Sequence, residues 1–140
     1  MPVVMTKEDM EQFLTDVFPQ VGDDFGIDHI GENRITMRLF AKEKHLRPGG
    51  TVSGPAMFGL ADVCVYMAIM AMIGPKALAV TTNASIDFMR KPVAGVDLVA
   101  ECRLLKLGSV LAVGEVLMYS EGMAEPVARA SMTYSIPPKG

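Results

Sequence analysis

Asp62 is the residue whose type and setting point most directly to chemistry. It is the single charge in the stretch GPAMFGLADVCVYMAIMAMIG, residues 54–74. A carboxylate in the middle of an apolar helix costs several kcal/mol unless a partner or solvent meets it. Residues kept at such a cost tend to act as base, acid or nucleophile. The competing reading is a solvated stripe or a structural pairing with a lysine. Tyr66, one turn further on, either hydrogen-bonds to Asp62, lines a pocket or packs in the core. A second feature precedes the helix. Gly49-Gly50-Thr51-Val52-Ser53-Gly54 leads into a helix N-terminus, where free backbone N–H groups carry partial positive charge. Such groups bind a phosphate or polarise a carbonyl as an oxyanion hole. The Lys-Ser/Thr of a phosphate loop is missing. Residues 54 and 62 stand roughly 12 Å apart along one helix, so they cannot both touch one reacting atom from the same copy. Two antiparallel copies of the helix would bring Gly54 of one chain near Asp62 of the other, in a twofold homodimer with two equivalent sites.

Other chemistry is poorly supported. His29 and His45 stand alone, and no cluster has metal-ligand spacing. Cys64 and Cys102 lie in apolar runs and read as buried thiols of a reducing compartment. No Ser-His-Asp pattern or nucleophile elbow is present. The twelve methionines suit a plastic core or an adaptable pocket wall.

The elements that must position Asp62 follow from hydrophobic period and punctuation. Residues 6–18 read as an amphipathic helix, with Thr6 as cap, Asp9 at N3 and Pro19 as stop. Residues 25–41 alternate as two strands around a turn at Gly31-Glu32-Asn33. A loop over 42–52 leads to Ser53, which can cap the long helix, with Pro55 tolerated in its first turn and Gly74-Pro75 ending it. Four strands follow, over 77–88, 97–106, 110–119 and 127–135. The order predicts an α+β fold in which a curled antiparallel sheet wraps one central helix.

The chain has 140 residues, half of them apolar, and a net charge of -3. That suits a single domain over 1–140, with an N-terminal helix in 1–19 and the core in 25–136. It offers no basic footprint for nucleic acid. The apolar helix approaches the roughly 20 residues of a membrane span. Its internal charge, and the alternating strands around it, favour a buried core helix over a span. The first residues carry neither a basic region nor a long apolar stretch, so a cytoplasmic location is expected.

The stretches GGTVSGPAMFGLADV and VTTNASIDFMRKPVAG resemble the hotdog-fold thioesterases of the phenylacetic-acid-degradation (PaaI-like) type. That pattern has an Asn or Gln, then G-T-x-H-G-G, then L-A-D or L-A-E, then a strand ending in x-F-x-x-P. The resemblance covers about residues 25–135. It implies hydrolysis of an acyl-CoA thioester, with CoA belonging to the substrate and no cofactor, by a homodimer or a homotetramer. Position by position, it implies that Asp62 is the catalytic carboxylate and that the Gly54 N–H polarises the thioester carbonyl. Thr81 falls where a Ser or Thr positions the water, and Arg90, with Lys91 as second candidate, where a basic residue meets the CoA nucleotide. Three acyl-side positions depart from the pattern: Arg47 replaces the Asn or Gln, Ser53 the histidine and Pro55 the second glycine. The alternative left by those departures is a non-catalytic hotdog module that binds acyl groups or CoA.

Overall fold

The computed structural model describes residues 2–75 and 78–138. Helix α1 (Lys7–Val17) starts at Thr6, whose hydroxyl accepts from the Asp9 N–H at 3.0 Å, while the Asp9 carboxylate accepts from the Thr6 N–H at 3.2 Å. This reciprocal cap is the one expected from the sequence. The helix buries Met10 and Leu14.

Strands β1 (Phe25–Gly31) and β2 (Arg34–Leu39) form a hairpin, with Asn33 in the left-handed region at φ 57°. Helix α2 (Gly54–Ile73) follows, then β3 (Val80–Phe88), β4 (Leu98–Leu107), β5 (Leu111–Ser120) and β6 (Pro126–Ser135). The six strands form one antiparallel sheet in the order β1-β2-β4-β5-β6-β3. The expected start of the third strand, Ala77, lies outside the described residues.

The sheet curls around α2 because alternate strand residues turn apolar side chains inward. Ile35, Met37 and Leu39 of β2, Leu98, Ala100 and Cys102 of β4, and Val116 and Met118 of β5 are all buried. Gly114 of β5 lets the sheet close onto the helix, since a Cβ there would come within 2.9 Å of Val65 Cγ1. Length and composition would allow α2 to cross a membrane, but 72% of its most apolar window is buried inside the protein. It is the core helix of a hotdog fold, apolar all round because protein surrounds most of it.

Two features matter for the site. The first is the edge strand β3, most of whose residues are exposed on both faces. The second is Asp24, in a 3-10 turn (Gly22–Asp24) that sequence periodicity did not reveal. Asp24 is 3% exposed and pairs with Lys42 at 2.7 Å, Lys44 at 2.8 Å and His45 at 3.4 Å. Burial pushes its carboxyl up, but hydrogen bonds from Lys42 and Lys44 outweigh burial and hold it at about 2. These pairs pin the 42–52 loop, which carries Arg47, to the body of the fold.

A depressed carboxyl contributes stability above its ordinary value near 3.8 and loses it as pH falls toward 2. Asp24→Asn is therefore expected to cost about 2 kcal/mol at pH 7, with the gap to the parent protein closing near pH 2. Urea unfolding at the two pH values measures this. An equal gap at both would detach Asp24 from the ion pairs.

Candidate active site

The α2 helix is uncovered along one narrow stripe. Pro55 and Phe58 are exposed, Gly59 and Asp62 are half-buried, and their spacing puts all four on one face. Asp62 ends the stripe. Its Oδ1 accepts from Thr81 Oγ1 at 2.6 Å and from Tyr134 Oη at 2.7 Å, and its main-chain oxygen accepts from the same Tyr134 hydroxyl at 3.0 Å. Oδ2 has no partner among the described residues. Among the described residues the carboxylate is met by two neutral hydroxyls and by no lysine or arginine.

Register explains why two hydroxyls converge there. Thr81 of β3 lies opposite Tyr134 of β6. Thr82 is an extra residue, since Thr81 and Asn83 face the neighbouring residues Tyr134 and Thr133. Two residues against one is a β-bulge, and it rotates the strand locally. Ala84, Ile86 and Phe88 face inward-pointing residues of β6. By strict alternation Thr82 would share their face; the bulge gives that face to Thr81. The Thr82 hydroxyl donates instead to the Thr133 carbonyl at 3.3 Å.

Sequence reasoning misses Tyr134. Its signal is a polar-tipped aromatic on the inward face of the last strand, directly across from Thr81. Of the three readings open for Tyr66, the structure shows core packing: its ring lies among Phe13 (6.1 Å between ring centroids), Phe18 (5.5 Å) and Tyr134 (5.9 Å). It is 3% exposed, and its hydroxyl has no partner among the described residues. Burial pushes its phenol up.

The other expected residues gather at the start of α2. A groove of about 660 Å³ is lined by Arg47, Ser53, Gly54, Pro55, Arg90 and Lys91, together with Thr51, Val52, Met57, Phe88, Met89 and Pro92. The Ser53 hydroxyl accepts from the Ala56 N–H at 3.3 Å, and the Ser53 carbonyl from the Met57 N–H at 3.0 Å. Pro55 has no N–H. Of the first four backbone positions, Gly54 alone keeps a donor with no acceptor among the described residues. A Cβ there would lie 3.2 Å from the Phe88 ring, a tight contact with an exposed side chain.

The cations of the groove are not equivalent. Arg90 donates to the Pro126 carbonyl at 2.8 Å and pairs with Glu125 at 3.0 Å, tying the β3–β4 turn to β6. Arg47 and Lys91 are exposed and carry no ion pair among the described residues. One chain thus presents two places: an anion-seeking groove at the helix start, and a braced carboxylate about two turns along the same helix. No group of three or more His, Cys, Asp or Glu residues able to hold a metal is found among the described residues.

Comparison with known proteins agrees with this architecture. The sequence pattern of the Thioesterase superfamily matches residues 49–127. A candidate thioesterase from Silicibacter sp. TM1040 is 59% identical over 99% of this chain and 96% of its own, with a TM-score of 0.93. The phenylacetic acid degradation protein PaaI from Thermus thermophilus, as its N33D mutant, is 24% identical over 85% of this chain and 99% of its own, at 0.73. A hypothetical thioesterase from Streptococcus pneumoniae, solved with coenzyme A, is 16% identical over 96% of this chain and 98% of its own, at 0.74. No curated protein matches the chain.

Proposed function

This chain belongs to the thioesterase superfamily, and on that premise we propose that it hydrolyses an acyl-CoA thioester to the free acid and CoA. The observation that carries the reading is the half-buried Asp62 carboxylate, with Oδ1 held by two hydroxyls and Oδ2 free of any partner among the described residues. A thioester needs an activated water and a polarised carbonyl. Asp62 Oδ2 takes a proton from water as the water oxygen bonds to the thioester carbon. The negative charge that forms on the carbonyl oxygen is stabilised by the Gly54 N–H and the positive end of the α2 dipole. Collapse of the tetrahedral intermediate breaks the C–S bond, and the proton on Asp62 passes to the departing sulfur. No resident cofactor enters this sequence. Arg47 and Lys91, with the guanidinium of Arg90 behind them, would hold CoA phosphates at the groove.

The carboxylate of one chain must then serve the Gly54 of the partner subunit, which calls for a twofold homodimer. Two observations support it. The β3 edge is exposed and unpaired, and antiparallel addition of a second β3 is the pairing a twofold axis generates. The uncovered stripe of α2 is the right length: Phe58 and Gly59 sit midway between Gly54 and Asp62. A Cβ at Gly59 would meet nothing within 4 Å, so two helices can approach closely about that point.

The test is CoA release from a panel of short, medium and aromatic acyl-CoAs, with sedimentation to establish the dimer. Arg47→Ala combined with Lys91→Ala is expected to raise KM about tenfold while leaving kcat within about twofold, since phosphate contacts bind substrate and transition state alike. A change confined to kcat would remove the phosphates from that groove. Tight CoA binding without turnover would return the alternative, a non-catalytic binding module.

A further inference from the structure

We infer that Tyr134 is a positioning residue that selects Oδ2 of Asp62 as the working oxygen of the site. The inference rests on the hydrolytic reading above and assigns a role to a residue outside the family pattern. Tyr134 is 3% exposed, and its hydroxyl reaches two atoms of the same residue: Asp62 Oδ1 at 2.7 Å and the Asp62 main-chain oxygen at 3.0 Å. One O–H placed between a side chain and its own helix backbone clamps that side chain in a single rotamer. The Thr81 hydroxyl, at 2.6 Å, fills the remaining approach to Oδ1. Both donors fall on one oxygen, leaving the other with no partner among the described residues.

The tyrosine is suited to this task and not to proton transfer. Burial, then the adjacent Asp62 carboxylate, push its phenol far above its ordinary range, so it keeps its proton and donates at every working pH. The Tyr66 ring packs against it. A hydrogen bond to a carboxylate, shielded from water in this way, is stronger and better directed than an exposed one. A threonine alone would hold the group less firmly, since a carboxylate with one donor can still tilt about its Cβ–Cγ bond and leave its rotamer.

Tyr134→Phe tests this, because it deletes one oxygen and keeps the ring. With an active parent, kcat is expected to fall about 10- to 100-fold, with KM within about twofold. A crystal structure of the variant should show the Asp62 carboxylate rotated or in more than one rotamer. Unchanged kcat overturns the inference, and so does a KM rise at constant kcat, which would make Tyr134 a binding group. If the parent releases CoA from no thioester in the panel, the hydrolytic reading fails by itself. The variant structure then decides alone: a single unaltered Asp62 rotamer overturns the clamp, and a released carboxylate supports it.

Discussion

Asp62→Asn is expected to reduce CoA release about a thousandfold or more, the usual scale for losing a general base, while leaving the fold intact. The substitution is close to isosteric. The asparagine carbonyl oxygen can still accept from Thr81 and Tyr134, so the side chain stays where the carboxylate was. What changes is the other atom. An NH₂ group stands where Oδ2 stood, and it donates where a base must accept. Water can no longer hand over its proton, and direct attack on the thioester is lost as well. Stability should hold or rise, because a neutral amide is easier to seat in an apolar helix than a charge is. Steady-state thiol release and thermal unfolding measure the two effects separately. Turnover within tenfold of the parent, from a folded variant, would exclude Asp62 from the chemistry.

Gly54→Pro carries the second largest expected effect, a loss of about 100- to 1,000-fold in kcat, the range seen when one oxyanion donor is removed. Proline deletes the one open N–H at the start of α2. The local backbone is ready for it: Ser53 has ψ 158°, the extended conformation that a following proline prefers, and proline is favoured at a first helical position. The helix should therefore survive the change. Gly54→Ala is the companion variant. It keeps the N–H but places a Cβ 3.2 Å from the Phe88 ring. Phe88 is 52% exposed and free to swing outward, so the alanine is expected to cost at most about tenfold, mostly in KM. Equal losses in both variants would mean that crowding, not the donor, governs this position.

Much of the architecture could be read from residue order because it rests on local signals. The Thr6–Asp9 capping box, the apolar run of α2 between Ser53 and Gly74, and the alternation of Leu98, Ala100, Cys102 and Leu104 in β4 are each set by a few neighbouring residues. Asp62 was legible for the same reason, as a charge where its neighbours forbid one. What stayed hidden depends on pairings across long separations. Tyr134 acts on Asp62 because β6 lies beside β3 in a register that puts it opposite Thr81, and no local pattern encodes that register. Tyr66 sits one turn from Asp62 in sequence, yet its ring turns toward Phe13 and Phe18, next to α1. In the sequence Asp24 is simply one of two adjacent acids. Its burial under Lys42, Lys44 and His45 appears only once the loop folds back over it. The groove cations show the same limit: Arg90 and Lys91 are neighbours in the chain, and only the fold gives one of them an acid to hold.

The bulge at Thr82 makes the site tolerant of its own misalignment. Were β3 to straighten against β6, the inward place opposite Tyr134 would pass from Thr81 to Thr82, and one threonine would replace another with the hydroxyl preserved. Adjacent identical residues at a slip point act as a spare part. Replacing Thr81 alone therefore leaves a substitute one position away, and only a chain lacking both hydroxyls is without a backup.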